Sequence, residues 1–409
     1  MRANKNSVIG GTVMAAPTPF RIDIPQGTLD AIAAKVRAYE WHEMPEIAPG
    51  ADRWAYGTDM TYMRELCDYW LKGYDWRKAE ANLNRFPQFK AQVDGYEIHF
   101  IHVKGSGANP ETLLLTHGWP GSVFEFFDVI EPLAHPEKFG GKAEDGVNVV
   151  VPSLPGYGFS GKLKKPIGPR GTAALWDRLM RETLGYDTYI AQGGDWGAVV
   201  TGNLGHLHSK AKGGGCKAVH MNMWGIRPAV MPETEAEKQW AAGAAMTFEL
   251  EGAYLRLQMT KPQTLSYGMM DSPVGAAAWI VEKFNGWSDR RGADGKEHIE
   301  NAFTKDQLLT SVMIYLVTKT FNTATWFYRG LFEEGGNGMA PGEKIEVPVG
   351  VANFPKEFLT FPPRTMVEKA CNVVHWTDFA HGGHFAALET CKVFADDVRA
   401  FVNRIKAGK

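Results

Sequence analysis

Residues 193–197 read Gly-Gly-Asp-Trp-Gly, shortly after the apolar run Tyr189-Ile190-Ala191 and before a stretch of helical character. This is the small-x-nucleophile-x-small frame of a nucleophile elbow, with Asp195 where a serine hydrolase carries its hydroxyl. Small residues are needed at 193 and 197 because the strand turns sharply into a helix and leaves no room for side chains. A carboxylate that attacks an ester gives a labile anhydride. One that attacks an alkyl carbon gives an ordinary ester. The elbow therefore points to an electrophilic sp³ carbon, in an epoxide or a carbon–halogen bond. The same frame also occurs in ordinary turns, so the rest of the constellation has to decide.

An aspartyl ester must be hydrolysed, which calls for a general base held in the right tautomer by an acid. A sheet that carries such an elbow orders these groups along the chain as nucleophile, acid, histidine. His384, in Gly382-Gly383-His384-Phe385, follows the last strand pattern and precedes the last helix pattern. Its rival is His381, three residues away. His375 lies inside a strand pattern and reads as core. His206 and His208 could chelate a metal, but no acidic or cysteine partner is near in sequence, so they read as surface. For the acid, Glu357 follows the strand pattern 347–351, with Asp378 as the alternative. The backbone N–H groups of Trp119, in His117-Gly118-Trp119-Pro120, and of Trp196 are candidates for an oxyanion hole.

The elements that must position these residues begin near residue 96. Strand patterns at 96–103, 112–115, 147–151, 186–191, 218–221, 347–351 and 372–376 alternate with helical stretches, and 386–405 closes as a helix. That alternation predicts an α/β fold, a mostly parallel sheet flanked by helices. Strand signals stop between 229 and 341, where aromatic and Met residues recur at helical spacings such as Leu308, Val312, Tyr315 and Leu316. This predicts an inserted helical cap. Residues 1–92 read as a helical, polar N-terminal arm or meander. The core is then 93–228 and 342–409.

Composition narrows the function class. The chain has 409 residues and a formal net charge of −2, which predicts neither a nucleic acid nor an anionic membrane as partner. The four cysteines (Cys67, Cys216, Cys371, Cys391) are far apart and lack a Cys-x-x-Cys, so neither zinc nor a disulfide framework is expected. The apolar run at 8–16 is interrupted by Gly10, Gly11 and Thr12, too short for a membrane span and a poor secretory leader. A soluble, cytoplasmic protein is the expectation.

Taken together, the sequence resembles the epoxide hydrolases of the α/β-hydrolase fold, of the microsomal and juvenile-hormone type. The likeness runs over nearly the whole chain. In the arm it includes Trp54, Tyr69-Trp70, Tyr74-Asp75-Trp76 and Leu83-Asn84-Arg85-Phe86-Pro87. In the core it includes residues 98–103, 117–122, 155–160 and the elbow, and further on 271–275 and 382–389. The resemblance implies two cap tyrosines that hold and protonate the epoxide oxygen, at positions matching Tyr254 and Tyr328. It also implies a covalent aspartyl-ester route to a vicinal diol, with a small apolar epoxide and water as partners and no metal or organic cofactor. Many animal members begin with a membrane-anchoring helix, and no match to it is found here, so no membrane anchor is expected. A homo-oligomer is compatible with the sequence. Two rivals are kept: a haloalkane dehalogenase with the same nucleophile, and a catalytically inactive carrier of hydrophobic ligands.

Overall fold

A computed structural model describes residues 16–226 and 229–408. The run at 8–16 lies outside them except for Ala16. The strands are β1 (Thr18–Phe20), β2 (Gln88–Val93), β3 (Tyr96–Val103), β4 (Thr112–Thr116), β5 (Asn148–Pro152), β6 (Tyr189–Gly193), β7 (Cys216–Met221), β8 (Ile345–Asn353) and β9 (Cys371–Asp378). They form one sheet in the order β1-β2-β3-β5-β4-β6-β7-β8-β9. From β5 to β9 every pairing is parallel, while β1, β2 and β3 add an antiparallel edge.

Burial explains which segments became central strands. Every residue of β4 (TLLLT), β5 (NVVVP) and β6 (YIAQG) is buried, as expected where helices cover both faces. On one face the helix Trp196–Leu207 packs on β4, β6, β7 and β8, with the helix Pro169–Arg178 beside it. On the other face the helix Cys391–Lys406 packs against Phe127–Ala134 and reaches β7 and β8. The final helical pattern is broken at Thr390, which separates Ala386–Glu389 from Cys391–Lys406.

Between β7 and β8 the described chain is helical from Glu235–Glu251 to Phe321–Glu333. These helices start where local chemistry allows it. Capping boxes at Thr234/Glu237 and Thr304/Gln307 open two of them, and Ser272 followed by Pro273 opens another.

The first 92 residues differ from the sequence expectation. Their described part, from residue 16, holds three helices, but β1 and β2 belong to the sheet. β2 and β3 form a hairpin closed by Asp94-Gly95, both at positive φ (49° and 83°), the backbone such a two-residue turn requires. The arm also reaches the inserted helices. Tyr69 donates a hydrogen bond to Asp306 at 2.8 Å, the Tyr74 hydroxyl lies 3.1 Å from that of Thr310, and Thr58 donates to the Ala278 carbonyl at 2.7 Å.

Candidate active site

Four loops at the carboxyl ends of β4, β6, β8 and β9 converge, which is where open parallel sheets place their ligands. β6 delivers the elbow. Asp195 has φ 48° and ψ −128°, a conformation that costs about 1–3 kcal/mol for a non-glycine residue and persists only where its surroundings enforce it. The enforcement is steric. A Cβ on Gly193 would lie 2.2 Å from the Gly197 carbonyl, and one on Gly197 only 1.8 Å from the Thr116 oxygen. Gly118 is equally constrained, since its Cβ would fall 2.1 Å from Asp195 Oδ1.

The β4 loop meets the elbow from the side. The backbone N–H of Trp119 donates to Asp195 Oδ1 at 2.7 Å. Trp196, the other predicted donor, is the first residue of the following helix, where a backbone N–H has no partner within the helix. His117 holds the loop in shape: it accepts the Leu154 N–H at Nε2 (3.1 Å), and Nδ1 lies 2.9 Å from the Gly118 carbonyl. Burial pushes its pKa down to about 4, so it is a neutral structural group.

The β8 and β9 loops bring in the other two groups. Lys356 and Gly383 pair as a parallel bridge, and the Lys356 N–H donates to the Gly382 carbonyl at 3.1 Å. This zips the acid loop to the histidine loop. Gly382, at φ 103°, and Gly383, whose Cβ would lie 2.7 Å from the Trp287 carbonyl, permit the approach. His384 Nδ1 then sits 2.9 Å from both Glu357 oxygens, and Nε2 lies 3.3 Å from Asp195 Oδ2. Burial opposes an imidazolium, but Glu357 and Asp195 together outweigh it and hold His384 well above the usual histidine range.

The helices between β7 and β8 close the site with aromatic rings. Tyr254 stacks on Trp119 (centroids 5.1 Å, 14°), and Tyr328 meets Trp196 edge-on (4.6 Å, 85°). The two tyrosine rings are 6.0 Å apart at 82°. Burial, reinforced by the nearby Asp195 charge, keeps both phenols protonated, with pKa values well above their ordinary range. A cavity of about 460 Å³ opens beside them. Its lining combines Asp195, Tyr254 and Tyr328 with apolar side chains such as Met223, Leu255 and Met259.

Asp195, Glu357, His384, Tyr254, Tyr328, Trp119 and Trp196, all named from sequence, therefore come together. The alternatives do not. The His381 side chain is 84% exposed and lies 3.7 Å from Asp289. Asp378 accepts from Asn353 and Trp376 instead of His384. His375 is held by Asp397 at 2.8 Å. His206, read as surface, is in fact buried and lies 3.3 Å from Glu343, a partner too distant in sequence to suggest itself. Sequence reasoning missed Glu125, whose carboxyl interacts electrostatically with both Asp195 and His384. Its position four residues beyond Gly121 carries no motif that would have singled it out.

Comparison with known proteins supplies the family. Residues 17–126 match the family model for the epoxide hydrolase N terminus, and 111–246 match that for the alpha/beta hydrolase fold. Epoxide hydrolase 1 of Sus scrofa is 34% identical, over 95% of this chain and 89% of its own length. Juvenile hormone epoxide hydrolase 1 of Ctenocephalides felis is 31% identical, over 95% and 86% respectively. The solved structure of Aspergillus niger epoxide hydrolase superposes with a TM-score of 0.80 at 31% identity, covering 95% of this chain and 97% of the other. With an aspartate at the elbow, a histidine and glutamate behind it and two tyrosines facing it, the chain belongs to the epoxide hydrolases of the α/β-hydrolase fold.

Proposed function

We propose that the chain opens bulky apolar epoxides through an ester on Asp195 and releases vicinal diols. The observation that carries this reading is the facing of two protonated phenols and a strained carboxylate across one apolar cavity. In the first half-reaction Tyr254 and Tyr328 donate hydrogen bonds to the epoxide oxygen. Asp195 Oδ1 is held by the Trp119 N–H at 2.7 Å, whereas Oδ2 has only the longer 3.3 Å contact to His384 Nε2, so Oδ2 is the oxygen for backside attack. A C–O bond of the ring breaks, its electron pair stays on oxygen, and a phenol proton neutralises the alkoxide.

The ester leaves Oδ1 as its carbonyl oxygen, already at the Trp119 N–H. Ester formation also removes the Asp195 charge that supported the imidazolium, so His384 becomes a weaker acid-holder and yields its proton as the phenolate regains one. Neutral His384, held by Glu357, takes a proton from water, and the resulting hydroxide equivalent attacks the ester carbonyl. Trp119 and Trp196 N–H groups meet the oxyanion. Its collapse breaks the bond between the Asp195 carboxyl carbon and the substrate oxygen, and the leaving alkoxide takes the proton of the added hydroxyl. The diol departs from a carboxylate on Asp195 and an imidazolium on His384. These steps use side chains and backbone N–H groups of this chain, with water as the second reactant.

The substrate class rests on the cavity: its volume lies in the usual small-molecule range, and Met and aromatic walls suit several apolar shapes. We take residues 229–341 as a cap domain and 1–92 as an arm, whose described part, from residue 16, straps the cap to the core. Among the described residues no helix is long and apolar enough to cross a membrane. The four unpaired thiols fit a reducing compartment such as the cytoplasm. A panel of styrene, stilbene, terpene and fatty-acid oxides, with diol detection, tests the activity. Diols from the apolar members are expected. Bromide release from a bromoalkane without any diol formation would instead favour the dehalogenase, and no turnover at all would favour the carrier.

A further inference from the structure

The cavity that receives the epoxide includes Asp195 in its wall, yet His384 is not part of that wall. Water for the second half-reaction must still reach the space between His384 Nε2 and the Asp195 carboxyl carbon. Away from the apolar cavity stands Glu125. It lies on the 3₁₀ turn Val123–Phe126, directly after the loop that carries Trp119. That turn packs against the short helix Ala386–Glu389, two residues beyond His384. The Glu125 carboxyl folds back over Gly121 so closely that a Cβ there would lie 1.2 Å from Oε1. On the same glycine, the cap residue Tyr315 donates a hydrogen bond to the carbonyl at 2.7 Å. Glu125 is thus clamped between the oxyanion loop, the histidine loop and the cap.

Glu125 is a third carboxyl group within electrostatic reach of the His384 imidazole, beside Asp195 and Glu357, and three charged carboxylates around one imidazolium are disfavoured. Asp195 and Glu357 have short contacts with His384, whereas no cation pairs with Glu125 among the described residues. Burial raises its pKa to about 8, so at neutral pH it is mostly a neutral acid with one donor and one acceptor. Although enclosed by protein, the side chain keeps some accessible surface. A neutral carboxyl of that kind suits a water that has two or more polar partners.

We propose that Glu125 is a positioning residue for the hydrolytic half-reaction: its carboxyl holds the water that His384 deprotonates and that attacks the ester. The inference rests on the covalent reading of Asp195. It also accounts for Gly121, since any side chain there would displace the carboxyl.

Rapid mixing with a slowly turned-over epoxide, followed by intact-mass detection of the ester, separates the two half-reactions. In Glu125→Leu, ester formation should stay within about 3-fold of wild type while ester decay slows at least about 10-fold. Glu125→Gln keeps a donor and an acceptor and should restore decay to within about 3-fold of wild type. Glu125→Ala should be slow and regain decay when acetate is added. Decay is first order, so its rate constant does not depend on what fraction of a variant folds. Unchanged decay in the leucine variant overturns the proposal alone, as does an equal loss in both half-reactions. Absence of any ester, in wild type and variants alike, overturns the covalent reading and this proposal with it.

Discussion

On the sheet side of the reacting carboxylate, polar groups have fixed partners. His384 has Glu357 at one nitrogen and Asp195 at the other, Asp195 Oδ1 has the Trp119 N–H, and His117 bridges two loops. On the cap side the groups are aromatic and their donors are largely unspent. The Trp119 indole N–H and the Tyr328 hydroxyl have no full hydrogen bond to a described residue, although the Trp196 indole and Tyr254 phenol lie close enough to influence Tyr328. An unsatisfied buried donor costs about 1–3 kcal/mol. An epoxide oxygen between the phenols removes part of that cost, and removes more as it becomes an alkoxide. The contrast separates two tasks. Fixed polar contacts set the geometry of the nucleophile and base, while loosely satisfied donors wait for the charge that develops on the substrate.

The most damaging way to break this division is on the sheet side. His384→Gln should leave ester formation largely intact and reduce steady-state turnover by at least about 10³-fold. Intact-mass analysis after mixing should show an adduct equal to the epoxide mass. Near-normal turnover with no adduct would move the base elsewhere. On the cap side the two phenols share one task, so the loss should be graded. Tyr254→Phe or Tyr328→Phe alone should slow ester formation about 10- to 100-fold, and the double variant should abolish it. A double variant that still forms the ester at close to the normal rate would remove the tyrosines from the mechanism.

The smallest effect belongs to the outer face of the cap. Leu250, on the helix Glu235–Glu251, is 72% exposed, whereas Leu114 in β4 is fully covered. Leu250→Ser should change unfolding free energy by no more than about 0.5 kcal/mol, while Leu114→Ala should cost about 2–5 kcal/mol. Denaturant melts of the two variants check this. A large loss from Leu250→Ser would mean that the outer cap face is covered in solution, as a homo-oligomer would require.

The same division explains what could be read from the sequence. The elbow, the glycine-flanked His384 and the buried runs in β4, β5 and β6 each carry a local signal, because backbone geometry or complete burial dictates residue type over a few positions. Tyr254 and Tyr328 carry none. They read as packed aromatics beside Tyr267 and Tyr315, and only the family resemblance selected them. The hairpin of β2 and β3 was legible in Phe89, Ala91 and Val93 followed by Asp94-Gly95, but the polar residues between them made the arm read as helical. Glu125 and the His206–Glu343 pair depend on contacts made across the fold, and no short window of sequence contains them.

The oxygen balance of the first turnover tests the central claim most directly. If Asp195 is the nucleophile, the oxygen added to the diol comes from its own carboxylate, and water replaces it only afterwards. A single turnover in ¹⁸O-water, with enzyme in excess, should yield diol with little label and a peptide containing Asp195 that has gained it. Asp195→Asn, nearly the same size but a poor nucleophile, should form no ester under the same conditions. Labelled diol in the first turnover, with an unlabelled Asp195 peptide, would show that water attacks the substrate carbon and would contradict the covalent account.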